Sequence, residues 1–252
     1  NMKHIVTGGA GFIGTHLVKK LVEQGDEVVV IDNHSSSGGE LLNENSLKES
    51  VTTISGDISY IKTQTGLHDK LKAAFEGADT VFHLAARARV QPSIEDPVFF
   101  NATNVEGTLN MLEYAHKAEV RRFVFTSSSS IYGNTDVLPT PETLEPNPLS
   151  PYGLQKLIGE QYCQLYSRIH NMDTVCLRYF NVYGPGEDHK GRMASVAWHL
   201  TRQYFESGSV RLFEGSGGYQ AGEQRRDFIH VDDVVKANLF FLDNPEKSGI
   251  FN

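Results

Sequence analysis

Short apolar runs alternate with amphipathic stretches along most of this chain. "HIVTGG", "EVVVID", "TVFHLAA", "RFVFTSSS" and "TVCLRYFNVYG" are brief and rich in β-branched or aromatic residues, which predicts strands. Between them, stretches such as 15–24 and 105–118 carry apolar residues at helical spacing. Alternation of this kind predicts right-handed βαβ units and a parallel sheet covered by helices on both faces, an α/β doubly wound fold of Rossmann type. The pattern changes after about residue 183, where "GPGEDHKGR" and "EGSGGYQAGEQRRD" are glycine-rich and charged. The expected organisation is a dinucleotide-binding domain over residues 1–180 and a smaller lobe beginning at 181, built on loops. No internal repeat or low-complexity segment interrupts it.

Composition narrows the partners. A chain of 252 residues can bury a sizeable core. Its net charge of -8, with no basic run, argues against a nucleic-acid or anionic-membrane surface and leaves small molecules. Cys163 and Cys176 are the only cysteines and have no His cluster nearby, so buried free thiols are expected and no metal site. No apolar stretch approaches the roughly 20 residues that span a bilayer, and the first residues lack a basic leader with an apolar core. A soluble, cytoplasmic protein is the expectation.

Candidate chemistry begins at "HIVTGGAGFIGTHLVKKL", residues 4–21. Gly8 suits a tight turn after a strand, Gly11 a close approach to a pyrophosphate, and Gly14 close packing of the following helix. That helix would turn free N–H groups and the positive end of its dipole toward the phosphates. Asp32, the first polar residue after "EVVVI", stands where an acid accepts hydrogen bonds from adenosine ribose hydroxyls. A carboxylate repels a 2′-phosphate, and no Lys or Arg lies between residues 32 and 39, so the residues favour NAD, with NADP as the alternative. The competing reading is a structural glycine turn beside an unrelated surface Asp.

In "SPYGLQK", Tyr152 and Lys156 fall one helical turn apart, with Ser150 and Pro151 as start signals. A cation one turn away favours the phenolate and makes Tyr152 a candidate general base. Upstream, "FTSSSSIYG" ends a strand with four hydroxyls, one of which can hold the reacting oxygen against Tyr152. Alone, each motif also fits an exposed helix face or a Ser-rich turn.

Together these motifs resemble the extended short-chain dehydrogenase/reductase superfamily, specifically its nucleotide-sugar epimerases. "TGGAGFIG", "DN" at 32 and 33, "GDI" at 56–58, "HLAA" at 83–86, "SSSSIYG", "PYGLQK" and "RYFNVYGP" stand in that family's order. The resemblance implies cofactor contacts from Gly8, Gly11, Phe12, Ile13, Gly14, Asp32 and Asn33. It further implies Asp57 and Ile58 beside the adenine, Leu84, Ala85 and Ala86 along the cofactor, and Tyr179 near the nicotinamide. Ser128, Tyr152 and Lys156 fall on the catalytic positions. Ser130, Asn181 and Arg226 fall on substrate positions, Arg226 in "RRDF" matching an arginine that grips the diphosphate of a nucleotide sugar. A homodimer is the assembly the resemblance implies.

Where dehydratases of this group carry an acidic pair, this chain has Ser129 and Ser130, which disfavours elimination of water and leaves redox-neutral epimerisation. Residues 80–184 resemble 4-epimerases of UDP-hexoses and UDP-N-acetylhexosamines. Residues 185–252, with "HKGRMASVAWHL", "LFEGSGGYQAGEQRRDF" and "PEKSGIFN", resemble ADP-glycero-manno-heptose 6-epimerases. In that second resemblance Lys190 falls on a second acid/base, against the alternative of a solvated loop lysine. Members of the family continue beyond the residue matching Asn252, so residues 181–252 are expected to be the start of a nucleotide-sugar lobe interleaved with the first domain.

Overall fold

The computed structural model describes residues 1–36, 47 and 50–252. Residues 37–39, part of the stretch without Lys or Arg after Asp32, lie outside them. Seven strands form one parallel sheet: β1 (Lys3–Thr7), β2 (Glu27–Asp32), β3 (Val51–Ser55), β4 (Thr80–His83), β5 (Arg122–Ser128), β6 (Asp173–Tyr179) and β9 (Gly249–Phe251). Their order is β3-β2-β1-β4-β5-β6-β9, so the winding direction reverses between β1 and β4. In open sheets of this kind a ligand crevice lies outside the carboxyl ends of the strands at that reversal.

Strand residues serve both faces, which is why the runs are continuously apolar. In β2, Val28 and Val30 pack toward Leu17, Val18 and Leu21 of α1 (Phe12–Glu23) and toward Val235 and Phe241 of α8 (Val231–Asp243). Val29 and Ile31 face the opposite layer. That layer contains Leu71 and Phe75 of α2 (Leu67–Phe75), Met111 and Leu112 of α5 (Thr108–Lys117), and Cys163 and Tyr166 of α6 (Pro151–His170). Cys163 and Cys176 are free, buried thiols.

Three local features depart from the pattern along the sequence. The apolar run "TVCLRYFNVYG" divides at Phe180 into β6 and a separate strand β7 (Asn181–Tyr183), which pairs with β8 (Phe228–His230). The helix expected over 105–118 begins earlier. Two short helices, α3 (Val90–Glu95) and α4 (Pro97–Asn101), precede it, and a π-helical segment, Ala102–Gly107, joins α4 to α5. The strand β3, "VTTIS", has too few apolar positions to stand out by composition.

Residues 184–227 carry α7 (Val196–Ser207) and an exposed loop, after which the chain returns to the main sheet through α8 and β9. Arg122, fully buried, anchors that return. Its guanidinium binds Asp173 and donates to the carbonyls of Phe241 and Asn244 at the end of α8 and of Pro245 and Lys247 just beyond it. A second buried ion pair, Arg178 with Glu160 at 2.8 Å, ties β6 to α6, and Ser127 Oγ donates to the same carboxylate. Arg178→Met would leave Glu160 charged in the core, and the expected loss is about 3–5 kcal/mol of unfolding free energy. Chemical denaturation measures it; a loss below about 1 kcal/mol would mean that solvent reaches the carboxylate.

Candidate active site

The loop between β1 and α1 is shaped by absent side chains. Gly8 adopts φ +68°, and a Cβ there would stand 2.7 Å from Ala85 N. A Cβ on Gly14 would stand 2.2 Å from Gly8 O and 2.7 Å from Gly9 Cα, backbone atoms that cannot swing aside. Gly11 caps α1 without a side chain, which leaves the helix N-terminus open to a phosphate. Asp32 braces the loop from the next strand: Ala10 N–H donates to Oδ2 at 3.0 Å, and His34 N–H to Oδ1 at 2.8 Å.

A cleft of about 350 Å³ opens from this loop across the strand ends. Gly8, Gly11, Phe12, Ile13, Gly14, Asp32, Asn33, Asp57, Ile58, Leu84, Ala85 and Ala86 line one part. Ser128, Tyr152, Lys156, Tyr179 and Lys190 line the remainder. The floor is held by a buried chain of hydrogen bonds through His83. Thr108 donates its hydroxyl hydrogen to Asn104 O at 2.8 Å, so the 2.9 Å contact with His83 Nε2 requires Nε2–H as donor. His83 Nδ1 then accepts from Thr7 Oγ1 at 2.7 Å, and Thr7 Oγ1 accepts from Ala85 N–H. Burial, with Lys156 adding to it, pushes the imidazole down to about 3, which keeps it neutral.

At the reactive end, Ser150 caps α6 by accepting from Gly153 N–H, with Pro151 in the first turn. Tyr152 and Lys156 therefore point into the cleft. Lys156 Nζ donates to Thr126 O at 2.7 Å and lies 6.0 Å from the Tyr152 ring centroid. Burial pushes Lys156 down to about 8, opposed by Cys163 and Glu160. The sequence led us to expect Lys156 to lower the Tyr152 phenol, but the structure differs. Burial raises Tyr152 above the ordinary phenol value, and the groups opposing that rise are the Ser128 hydroxyl and the charge of Arg89. The Lys156 ammonium meanwhile donates to a backbone carbonyl of β5. Ser128 Oγ also donates to Ser130 Oγ at 3.1 Å, which places Ser130 beside it.

Lys190 is not a solvated loop lysine. Its Nζ lies 4.2 Å from the Phe12 ring centroid and 3.9 Å from Glu187 Oε1. Glu187 is buried and accepts from Gly184 N–H, Ser195 N–H and Ser195 Oγ, so it fixes the loop that carries Lys190. Burial lowers the Lys190 ammonium, Glu187 opposes this, and Arg89 adds to it. Tyr179, raised by burial, receives a hydrogen bond from Asn238 at 2.7 Å.

None of the three expected substrate residues lines the cleft, although Ser130 lies beside Ser128, which does. Asn181 is exposed and donates to Asp227 O, and the exposed Arg226 donates to Arg225 O. Sequence reading missed Arg87, Thr103 and Thr126, which also line the cleft. No spacing pattern marks them: the π-helical segment turns Thr103 inward, and β5 ends with Thr126 facing the cleft.

Gly14→Ala is expected to cost about 1–3 kcal/mol through overpacking and to weaken NAD binding tenfold or more, since about 1.4 kcal/mol corresponds to each decade. Calorimetric titration with NAD checks it. Unchanged affinity would separate this loop from dinucleotide binding.

Known proteins accord with this geometry. Residues 4–252 match the NAD dependent epimerase/dehydratase family. An ADP-L-glycero-D-manno-heptose-6-epimerase from Alkalilimnicola ehrlichii is 41% identical, over 98% of this chain and 74% of its own length. Among solved structures, a UDP-N-acetylglucosamine 4-epimerase from Methanobrevibacter ruminantium is 33% identical with a TM-score of 0.88, over 100% of this chain and 76% of that one. A UDP-glucose 4-epimerase from Thermotoga maritima is 38% identical with a TM-score of 0.83, over 96% and 74%. Glycine cradle, bracing aspartate and paired tyrosine and lysine thus occupy one cleft in a chain that belongs to the NAD dependent epimerase/dehydratase family.

Proposed function

We propose that this NAD-dependent nucleotide-sugar epimerase inverts the exocyclic carbon 6 of an ADP-activated heptose. The supporting observation is that the Lys190 amine lines the same cleft as Tyr152 and that burial destabilises its ammonium form. An exocyclic carbon can present either face by rotation, so two acid/base groups can serve its two orientations. The 41% identical relative named as a heptose 6-epimerase supports the same reading.

The residues of the glycine loop would hold the pyrophosphate of NAD at the start of α1, and Asp32 its adenosine ribose. Asp32, whose two oxygens accept from backbone N–H groups, would disfavour the 2′-phosphate of NADP by charge repulsion. Bound NAD supplies a hydride acceptor and donor. Tyr152 would take the proton of the reacting hydroxyl as general base, and Ser128 would orient that oxygen by hydrogen bonding. Lys190 would exchange the proton in the opposite orientation. Asp32 and Asp57 are the only carboxylates among the described lining residues. Asp32 ends β2 and Asp57 follows β3, whereas Ser128 ends β5, at least three strand spacings or roughly 14 Å away. A site without a carboxylate at its reactive end supports epimerisation over elimination. Ser130, Asn181 and Arg226 are the proposed contacts to the nucleotide sugar, within a lobe starting near residue 181. The apolar groove of Val98, Leu149 and Leu154 on α4, α6 and the segment before α6 is the proposed seat of a second copy in a homodimer.

A second reading, 4-epimerisation of a UDP-hexose or UDP-N-acetylhexosamine, is supported by the solved relatives, whose complexes carry UDP-glucose and UDP-N-acetylmuramic acid. It needs only Tyr152, since a keto sugar can turn over within the pocket.

Tyr152→Phe is expected to retain NAD binding and to lose about two to four orders of magnitude in turnover. Steady-state rates on both substrate classes measure it, and near-normal activity would remove Tyr152 from the chemistry. Lys190→Ala separates the readings. It should nearly abolish 6-epimerisation of an ADP-heptose, followed by NMR of the product. Interconversion of UDP-glucose and UDP-galactose that survives Lys190→Ala would favour the second reading.

A further inference from the structure

His16 stands one turn after Phe12 on α1, so the two side chains share a face of that helix, with ring centroids 5.8 Å apart and the rings nearly perpendicular. That face meets the loop that carries Lys190. His16 Nε2 lies 2.7 Å from Pro185 O, 169 positions away in sequence, and because a carbonyl only accepts, Nε2–H is the donor. One turn toward the start of the helix, the buried Phe12 ring receives the Lys190 ammonium at 4.2 Å. The loop is thus fixed to α1 at two points. Phe12 and Lys190 line the cleft, whereas His16 stands behind it.

The loop is closed upon itself by Glu187. That carboxylate accepts from Gly184 N–H at 3.2 Å and from Ser195 N–H at 2.7 Å, and Ser195 Oγ caps α7 by accepting from Trp198 N–H. Lys190 N–H donates to Glu187 O at 2.9 Å. Residues 184–195 therefore form one braced unit, and where that unit sits relative to the glycine cradle depends on its attachment to α1.

The two attachments respond differently to proton transfer. Attraction of Lys190 to the Phe12 ring, and to Glu187 Oε1 at 3.9 Å, requires the charged ammonium. Both weaken once the amine gives up its proton. The bond from His16 to Pro185 does not involve that charge and is the same in either state of the amine.

We propose that His16 is a positioning residue: its hydrogen bond to Pro185 holds the 184–195 loop on α1 and keeps the Lys190 amine at the Phe12 ring, beside the cofactor cradle, whether or not that amine carries its proton. This deepens the reading of Lys190 as an acid/base group and rests on it.

His16→Leu removes the donor, and His16→Gln keeps an N–H of similar reach. In the NAD complex of His16→Leu, hydrogen exchange of the backbone amides of residues 184–195, followed by mass spectrometry, should quicken about two- to tenfold, the factor that loss of one ordinary hydrogen bond gives. The kcat for 6-epimerisation of an ADP-heptose should fall by a similar factor, because turnover needs the amine in place. His16→Gln should restore both toward wild type, and NAD affinity, measured by calorimetry, should stay unchanged in both variants. The proposal is overturned if either exchange or kcat keeps its wild-type value in His16→Leu, or if His16→Gln loses as much as His16→Leu. A fall in NAD affinity would place the effect in α1 itself and overturn it equally. Failure of the Lys190 reading is a separate outcome, seen as epimerisation retained in Lys190→Ala.

Discussion

The carboxyl ends of β1 and β4 approach so closely that a side chain on Gly8 would collide with the backbone at Ala85. Much of the site depends on that approach. The chain leaves β1 toward β2 and leaves β4 toward β5, so the strand tips part above a packed floor. The floor is locked by Thr7, neutral His83 and Thr108, and Thr108 belongs to the helix that the π-helical segment feeds. In that segment Asn104 accepts from Arg87 N–H, donates to Arg87 O, and donates to Gln155 Oε1 on α6. One continuous set of bonds thus registers the glycine cradle on β1 with the helix that carries Tyr152.

Registration places titratable groups where water is scarce, and burial then acts on each in a predictable direction. It penalises the charged form, raising the Tyr152 phenol and lowering the Lys156 and Lys190 ammonium groups. Both shifts favour neutral groups at rest. A phenol raised toward the range of a sugar hydroxyl is better matched to it, whereas an ammonium lowered by burial gives up its proton more readily. The same desolvation strengthens the interactions that remain, and at Tyr152 those opposing the rise are the Ser128 hydroxyl and the charge of Arg89.

Buried acids outside the cleft have a different task. Glu160 joins Arg178 of β6 and Ser127 of β5 to α6, and Glu187 gathers backbone and side-chain donors of the Lys190 loop. Each satisfies its carboxylate with several donors, which is what allows a charge to persist in a core. They fix the backbone on which the reactive residues are mounted.

The sequence by itself determined what depends on short-range order. Alternating apolar runs forecast the parallel sheet, three glycines and Asp32 forecast the cradle, and Ser150, Pro151, Tyr152 and Lys156 forecast a capped helix with two side chains on one face. Each follows from spacing along the chain, because strand, helix and turn geometries repeat over a few residues. Tertiary structure alone decided the charge states and the company of the reactive groups. Helical spacing paired Lys156 with Tyr152, yet the cation turned to Thr126 O, a carbonyl from another strand. Lys190 reached the cleft that holds Tyr152 from a segment about forty residues away in sequence, and Arg226 and Asn181 stayed outside the cleft. Periodicity cannot encode such meetings, since burial and electrostatic coupling are properties of distance in space.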